Sequence, residues 1–158
     1  MRNNMIVNDV LKAVLNKRNP IILTERKEHA DLLAGLIKDK CDNAFVLSGK
    51  DNAKDKKLKL EQIKAVPKSE NLVIVATGKY VGEGFDEPRL DMLFLAMPIA
   101  WKGTLAQYAG RLHRNYDGKQ EVCVYDYADI FMPMLERMYA RWRLISLTGV
   151  ILCCSRKL

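Results

Sequence analysis

A chain of 158 residues is long enough for one domain with a sizeable core and too short for two ordinary ones. Its hydrophobic share of 49% excludes a disordered tail. Lys and Arg exceed Asp and Glu by 26 − 19 = 7, a basic balance that fits a polyanion partner such as nucleic acid, or equally a Lys-rich solvated surface.

In chain order, "IVNDVLKAVLNKR" reads as a first helix. Five short apolar runs follow: "PIILT" (20–24), "AFVLS" (44–48), "LVIVA" (72–76), "MLFLA" (92–96) and "EVCVYD" (121–126). They do not alternate with polar residues, which is the pattern of strands buried on both faces. Between them, "RKEHADLLAGLIKDK" spaces Ala30, Leu33, Leu36 and Ile37 as one helical face, and "KDKKLKLEQIKAV" does the same with Leu60, Ile63 and Val66. "DIFMPMLERMYARWRL" reads as a closing helix with Pro133 near its first turn. Strand and helix thus alternate about five times, which predicts a mostly parallel sheet of five or more strands with helices on both faces. Ligands of such sheets sit beyond the carboxyl ends of the strands. The loops after Thr24, Ser48, Ala76, Ala96 and Asp126 are the places to look.

The expected domain covers 1–145, and the tail 146–158, with "TGVILCCSRKL", is left open between a trailing helix, a strand pairing with another domain and an artefact of truncation. "GVILCC" is far shorter than the roughly 20 residues of a membrane span. None of the four cysteines, Cys41, Cys123, Cys153 and Cys154, forms a C-x-x-C pair, so no metal site is expected. With no secretory signal pattern, a cytoplasmic location is the expectation.

Two stretches carry chemistry. "TLAQYAGRLHR", placed on a helix at about 100° per residue, gathers Leu105, Tyr108, Ala109 and Leu112 on one side and Gln107, Gly110, Arg111 and Arg114 on the other. The apolar side packs on the sheet. The other side presents two guanidiniums, the cations suited to bidentate phosphate recognition. Gly110 weakens the helix by about 1 kcal/mol against Ala, for which close approach of a backbone or ligand is the usual reason. The plain alternative is an exposed basic face with salt bridges. The second stretch is "VIVATGKYVGEGFDEP". A buried strand runs into a loop with Gly78, Gly82 and Gly84, where exposed amides suit an anion, and Thr77 adds a hydroxyl donor. Glu83 and Asp86 only accept, so they suit a ribose hydroxyl, a basic side chain or a domain contact. A purely structural turn is the alternative there.

Taken together, a T-G-x(3)-G-x-G-x-D loop, a strand, and then Q-x-x-G-R-x-x-R on a helix resembles the second RecA-like domain of superfamily 2 helicases and translocases. The loop resembles helicase motif V and "QYAGRLHR" resembles motif VI. "PIILTERKEHADLLAGLI" is similar to motif IV, and "VLSGK" to the short S/H-G element after the next strand. The "GEGFD" form is closer to restriction-enzyme and DNA-repair translocases than to the DEAD-box branch. The resemblance implies a three-layer α/β/α RecA-like fold. It implies Arg111 and Arg114 as arginine fingers on the γ-phosphate of ATP, and Gln107, Gly84 and Asp86 beside the nucleotide. It implies Thr24, Ser48, Gly49, Thr77 and Gly78 as contacts to a DNA backbone, with RNA possible.

No G-x-x-x-x-G-K-[ST] occurs: the three Gly-Lys pairs are followed by Asp51, Tyr80 and Gln120. Asp126 ends a strand as a Walker B aspartate does, but without a P-loop it reads as a strand-end residue or helix cap. The resemblance therefore implies that ATP with Mg²⁺ is held mainly by an N-terminal P-loop domain of a longer protein, and that the present chain is inactive alone. A standalone nucleic-acid-binding or regulatory module is the competing expectation. A different nucleotide-dependent α/β enzyme is a third, resting on fold analogy alone.

Overall fold

The computed structural model describes residues 2–78, 80, 85–97, 108, 110–112, 116–117, 119, 122–128 and 151–157. Helix α1 (Arg2–Leu15) leads into β1 (Pro20–Thr24), α2 (Lys27–Lys38), β2 (Ala44–Leu47), α3 (Ala53–Ala65), β3 (Val73–Thr77), β4 (Met92–Leu95), β5 (Val122–Ala128) and β6 (Ile151–Lys157). The six strands form one sheet in the order β2-β3-β1-β4-β5-β6, and every neighbouring pair is parallel. The five apolar runs are strands within a residue or two of their expected bounds. The tail holds a sixth: its backbone pairs with β5 from Val122↔Ile151 to Ala128↔Lys157. It is therefore a strand of this sheet, not a trailing helix. The expected closing helix lies outside the described residues.

The lack of alternation along the strands reflects burial on both faces. All five residues of β1 and of β3 are buried. Successive side chains point to opposite faces, so the core falls into two halves. Ile21, Leu23, Ile74, Leu93 and Val124 pack with Ile63 of α3 and with Tyr108 and Leu112. Ile22, Val73, Val75, Phe94 and Cys123 pack with Ile6 and Val10 of α1 and Leu33 and Ile37 of α2. The result is a three-layer α/β/α domain with helices on both faces. One helical face differs from expectation. On α2 the buried stripe is Ala30, Leu33, Ala34 and Ile37, while Leu36 is 38% exposed. At about 100° per residue, Leu36 stands roughly 120° from Ala30, off the stripe.

Two polar braces fix the strand connections. At the amino end of the sheet, Arg18 Nε donates to Asp91 Oδ2 at 2.6 Å and the Asn19 amide to Asp91 Oδ1 at 2.8 Å, tying the start of β1 to the start of β4. Burial pushes the Asp91 carboxyl above its ordinary range even with Asn19 and Arg18 opposing it. At the end of α3, the buried Arg89 guanidinium donates to the carbonyls of Val66 (3.0 Å) and Ile63 (2.9 Å) and to Glu87 Oε1 (2.9 Å). It thereby gives the Val66 carbonyl a partner and adds a second donor to the Ile63 carbonyl, which already accepts from the Val66 amide.

Candidate nucleic-acid interface

The parallel sheet brings the ends of β2, β3 and β1 side by side. Thr24 and Thr77 are register partners, and Leu47, immediately before Ser48, pairs with Ala76, immediately before Thr77. In sheet order, Ser48, Thr77 and Thr24 therefore form a row of three hydroxyls along the carboxyl edge, at the strand pitch of about 4.8 Å. All three are buried residues at the rim. The resemblance implied one track for all three, and the register makes them neighbours.

The loop after β2 is tightly bonded within itself. The Gly49 amide donates to Thr77 Oγ1 at 3.0 Å, so the loop after β2 is joined directly to the end of β3. The Ser48 amide donates to Asp51 Oδ2 at 3.0 Å, and the Lys50 amide donates to Ser48 Oγ at 3.2 Å. Lys59 of α3 closes on the same Asp51 oxygen at 2.7 Å. Burial alone would raise the Asp51 carboxyl; the Lys59 and Ser48 hydrogen bonds and the Lys59 and Lys27 charges outweigh it and hold the group below its usual value. Asn52 then caps α3, accepting from the Asp55 amide at 2.8 Å. Because Thr77 Oγ1 accepts from Gly49, its own hydroxyl proton is directed to a different acceptor.

Gly78 continues from Thr77 in helical conformation, and its carbonyl accepts from the Tyr108 hydroxyl at 2.5 Å. A Cβ on Gly78 would come within 3.3 Å of that hydroxyl, so the close contact favours glycine. Burial, with a smaller contribution from Glu25, raises the Tyr108 phenol above its ordinary value against the opposing Arg111 charge. Tyr108 and Leu112 are both buried, as the helical face assigned to them requires. The segment after β3 and the helical turn of Tyr108 are thus linked by a hydrogen bond that the sequence did not disclose, since Tyr108 read there only as an apolar face residue.

Arg111, one turn on from Tyr108, is partly exposed, with Nη1 donating to the Phe85 carbonyl at 2.8 Å. This places its guanidinium next to the segment that carries Asp86, which is exposed. A cavity of about 20 Å³, room for one water, lies between Arg111, Tyr108, Phe85 and Glu87. Gly110 is exposed, and a Cβ there would meet nothing within 4 Å. Among the described residues nothing makes the close approach that its glycine suggested. Gln107, Arg114 and Gly84 lie outside the described residues, as do Leu105, Ala109, Gly82, Glu83 and the side chain of Asp126. Among the described residues no group of three His, Cys, Asp or Glu side chains could hold a metal ion, and no helix is long and apolar enough to cross a membrane.

An all-parallel three-layer domain whose carboxyl edge carries a hydroxyl row on one side and an arginine-bearing helix on the other is RecA-like in architecture. No protein-family model and no curated protein matches the chain. Solved structures do. The chain is similar to T4 UvsW (TM-score 0.73, 16% identity, covering 99% of this chain and 34% of that one). It is similar to the C-terminal part of the Fun30 ATPase domain (0.71, 15%, 87% and 44%). It is also similar to domain 2 of the DEAD-box helicase Mss116p, solved bound to an RNA duplex (0.69, 18%, 99% and 60%). The chain thus spans less than two thirds of each of these, and it shares their RecA-like fold.

Proposed function

We propose that this chain is the C-terminal half of an ATP-dependent helicase or translocase, gripping the nucleic-acid backbone along the Ser48–Thr77–Thr24 row and supplying arginine fingers from the Arg111 helix. The observation that carries the reading is the register of the row. Three hydroxyls from separate strands stand side by side at the edge where such folds place ligands. Side-chain hydroxyls read phosphates and sugars but not base sequence, so binding is weakly sequence-specific and falls steeply with salt. The basic balance of 7 charges adds to the attraction.

ATP supplies the transferable phosphoryl group when bound. In this chain Arg111, with Arg114 three residues on, is the cation that would stabilise charge on that group, an effect worth about 10³–10⁵ in rate in well-studied phosphoryl-transfer enzymes. Gln107, Gly84 and Asp86 would face the same nucleotide. With no P-loop in the sequence and no metal-holding group among the described residues, ATP and Mg²⁺ require a second wall, an N-terminal P-loop domain. The Tyr108–Gly78 hydrogen bond supports a coupling of the two: it would tie the grip to the finger helix. DNA is the favoured polymer, on the "GEGFD" pattern.

The test is a pair of assays. The isolated chain should bind labelled single-stranded DNA with a steep salt dependence, lose about tenfold in affinity on Thr77→Val, and hydrolyse no ATP. Joined to a P-loop domain, it should support hydrolysis that Arg111→Ala abolishes while leaving DNA binding nearly intact. Appreciable ATP turnover by the chain alone would sink the half-site reading. Tight binding that no P-loop domain converts to hydrolysis would favour a standalone binding module.

A further inference from the structure

His29, in the first turn of α2, bridges α1 to the hydroxyl row. Its Nδ1 lies 2.9 Å from Thr24 Oγ1, and its Nε2 lies 3.0 Å from Asn3 Oδ1 of α1. An amide oxygen only accepts, so Nε2 carries the proton in that bond. A neutral imidazole then has a bare Nδ1, and the Thr24 hydroxyl must donate to it. With its proton committed to His29, Thr24 offers only lone pairs to anything lying over the sheet edge. Its register partner Thr77 has the opposite polarity, because its oxygen accepts from the Gly49 amide and its proton points elsewhere. Phosphate oxygens only accept. Thr77 therefore suits a phosphate, and Thr24 does not while His29 is neutral. Protonation reverses this: Nδ1–H donates to Thr24 Oγ1, and the threonine proton turns outward.

We propose that His29 is a positioning residue that sets the hydrogen-bond direction of Thr24, so that a backbone phosphate over the β1–β3 seam is held more tightly when His29 is protonated. This rests on the reading of the row as a nucleic-acid track. The charged groups acting on the ring are Arg2, from α1, and Arg26, from the turn before α2; from β1 it meets the neutral Thr24. Burial first, and then these two cations, push the imidazole below its ordinary value, so the free chain keeps it neutral at neutral pH. A phosphate beside Thr24 acts in the opposite sense and raises it. Binding then takes up a proton, and affinity increases as pH falls through the imidazole range.

The experiment uses the whole 158-residue chain and a fluorescein-labelled oligothymidylate, with anisotropy read at constant ionic strength from about pH 8 to about pH 5.5, above the range where carboxylates titrate. Affinity should tighten about tenfold over that span, the worth of one charge-assisted hydrogen bond. The chain has two histidines. His113→Gln should keep the pH response, while His29→Gln and Thr24→Val should lose it. A response in His29→Gln equal to the wild type overturns the inference. Should the variants fail to fold, the wild-type His29 resonance decides: its pKa must rise on adding oligothymidylate, and an unchanged pKa refutes the coupling. Binding without any pH response overturns this inference alone. No binding at any pH overturns the track reading, and this inference with it.

Discussion

Replacing Arg89 with methionine tests how the segment before β4 is held. The guanidinium and the Glu87 carboxylate it pairs with are only 7% and 10% exposed. Arg89→Met keeps most of the side-chain volume but removes every donor. It strands the Glu87 charge in a poorly solvated site and leaves the Ile63 and Val66 carbonyls of α3 without their shared partner. Removing one member of a buried pair costs about 3–5 kcal/mol, against a total stability of about 5–15 kcal/mol for an ordinary domain. With a urea slope of about 2 kcal/mol/M, the midpoint followed by far-ultraviolet circular dichroism should fall by about 2 M. The stranded charge is part of that loss, so adding Glu87→Gln to Arg89→Met should recover about 1–2 kcal/mol. A single variant within about 1 kcal/mol of the wild type, or a double variant no more stable than the single, would refute the reasoning.

Gly110→Ala separates folding from function. The site is helical, exposed and open, so alanine should stabilise the isolated chain by about 0.5–1 kcal/mol in urea. If a second domain or nucleotide approaches there, the same change should slow ATP hydrolysis by the complete enzyme; unchanged turnover would mean nothing approaches. Asp51→Asn addresses the loop after β2. The Asp51 carboxyl is held below its unfolded value, so its contribution to stability is present above the unfolded pKa and is lost as pH falls through the folded one. Wild type should therefore be the more stable above about pH 4, and the two stability curves should converge below it; parallel curves would contradict the assigned pairing.

Much of this domain could be read from the sequence because the relevant signals are local. Runs such as "PIILT" and "LVIVA" declare doubly buried strands, and the spacing of Tyr108 and Leu112 declares the helix face that meets the sheet. The strand-end positions of Thr24, Ser48 and Thr77 follow from the same runs. What was not legible depends on distant partners. The ring of His29 meets Asn3, 26 residues away, and Tyr108 meets Gly78, 30 residues away. No periodicity encodes such pairs. Arg89 stands in a short turn where nothing nearby distinguishes a buried cation from a solvated one. The tail strand was hidden because "ILCC" runs straight into "SRK", so it carries neither uniform apolarity nor alternation, and only its register with β5 defines it. Leu36 misled because apolar character alone does not fix azimuth on a helix.

The strand order also has a consequence for how the chain acquires its structure. β1 lies in the interior of the sheet, yet it is made first. Its neighbours are far ahead of it: Ile21 pairs with Ile74, and Pro20 with Met92. During synthesis this largely apolar strand has no strand partner on either side until more than fifty residues have followed it, and its second edge closes later still. Such long closures are slow, and an unpaired strand edge in that interval is an invitation to aggregate. The α1 and α2 helices, which flank β1 in sequence and cover one of its faces, are local enough to form early and shield it until β3 and β4 arrive.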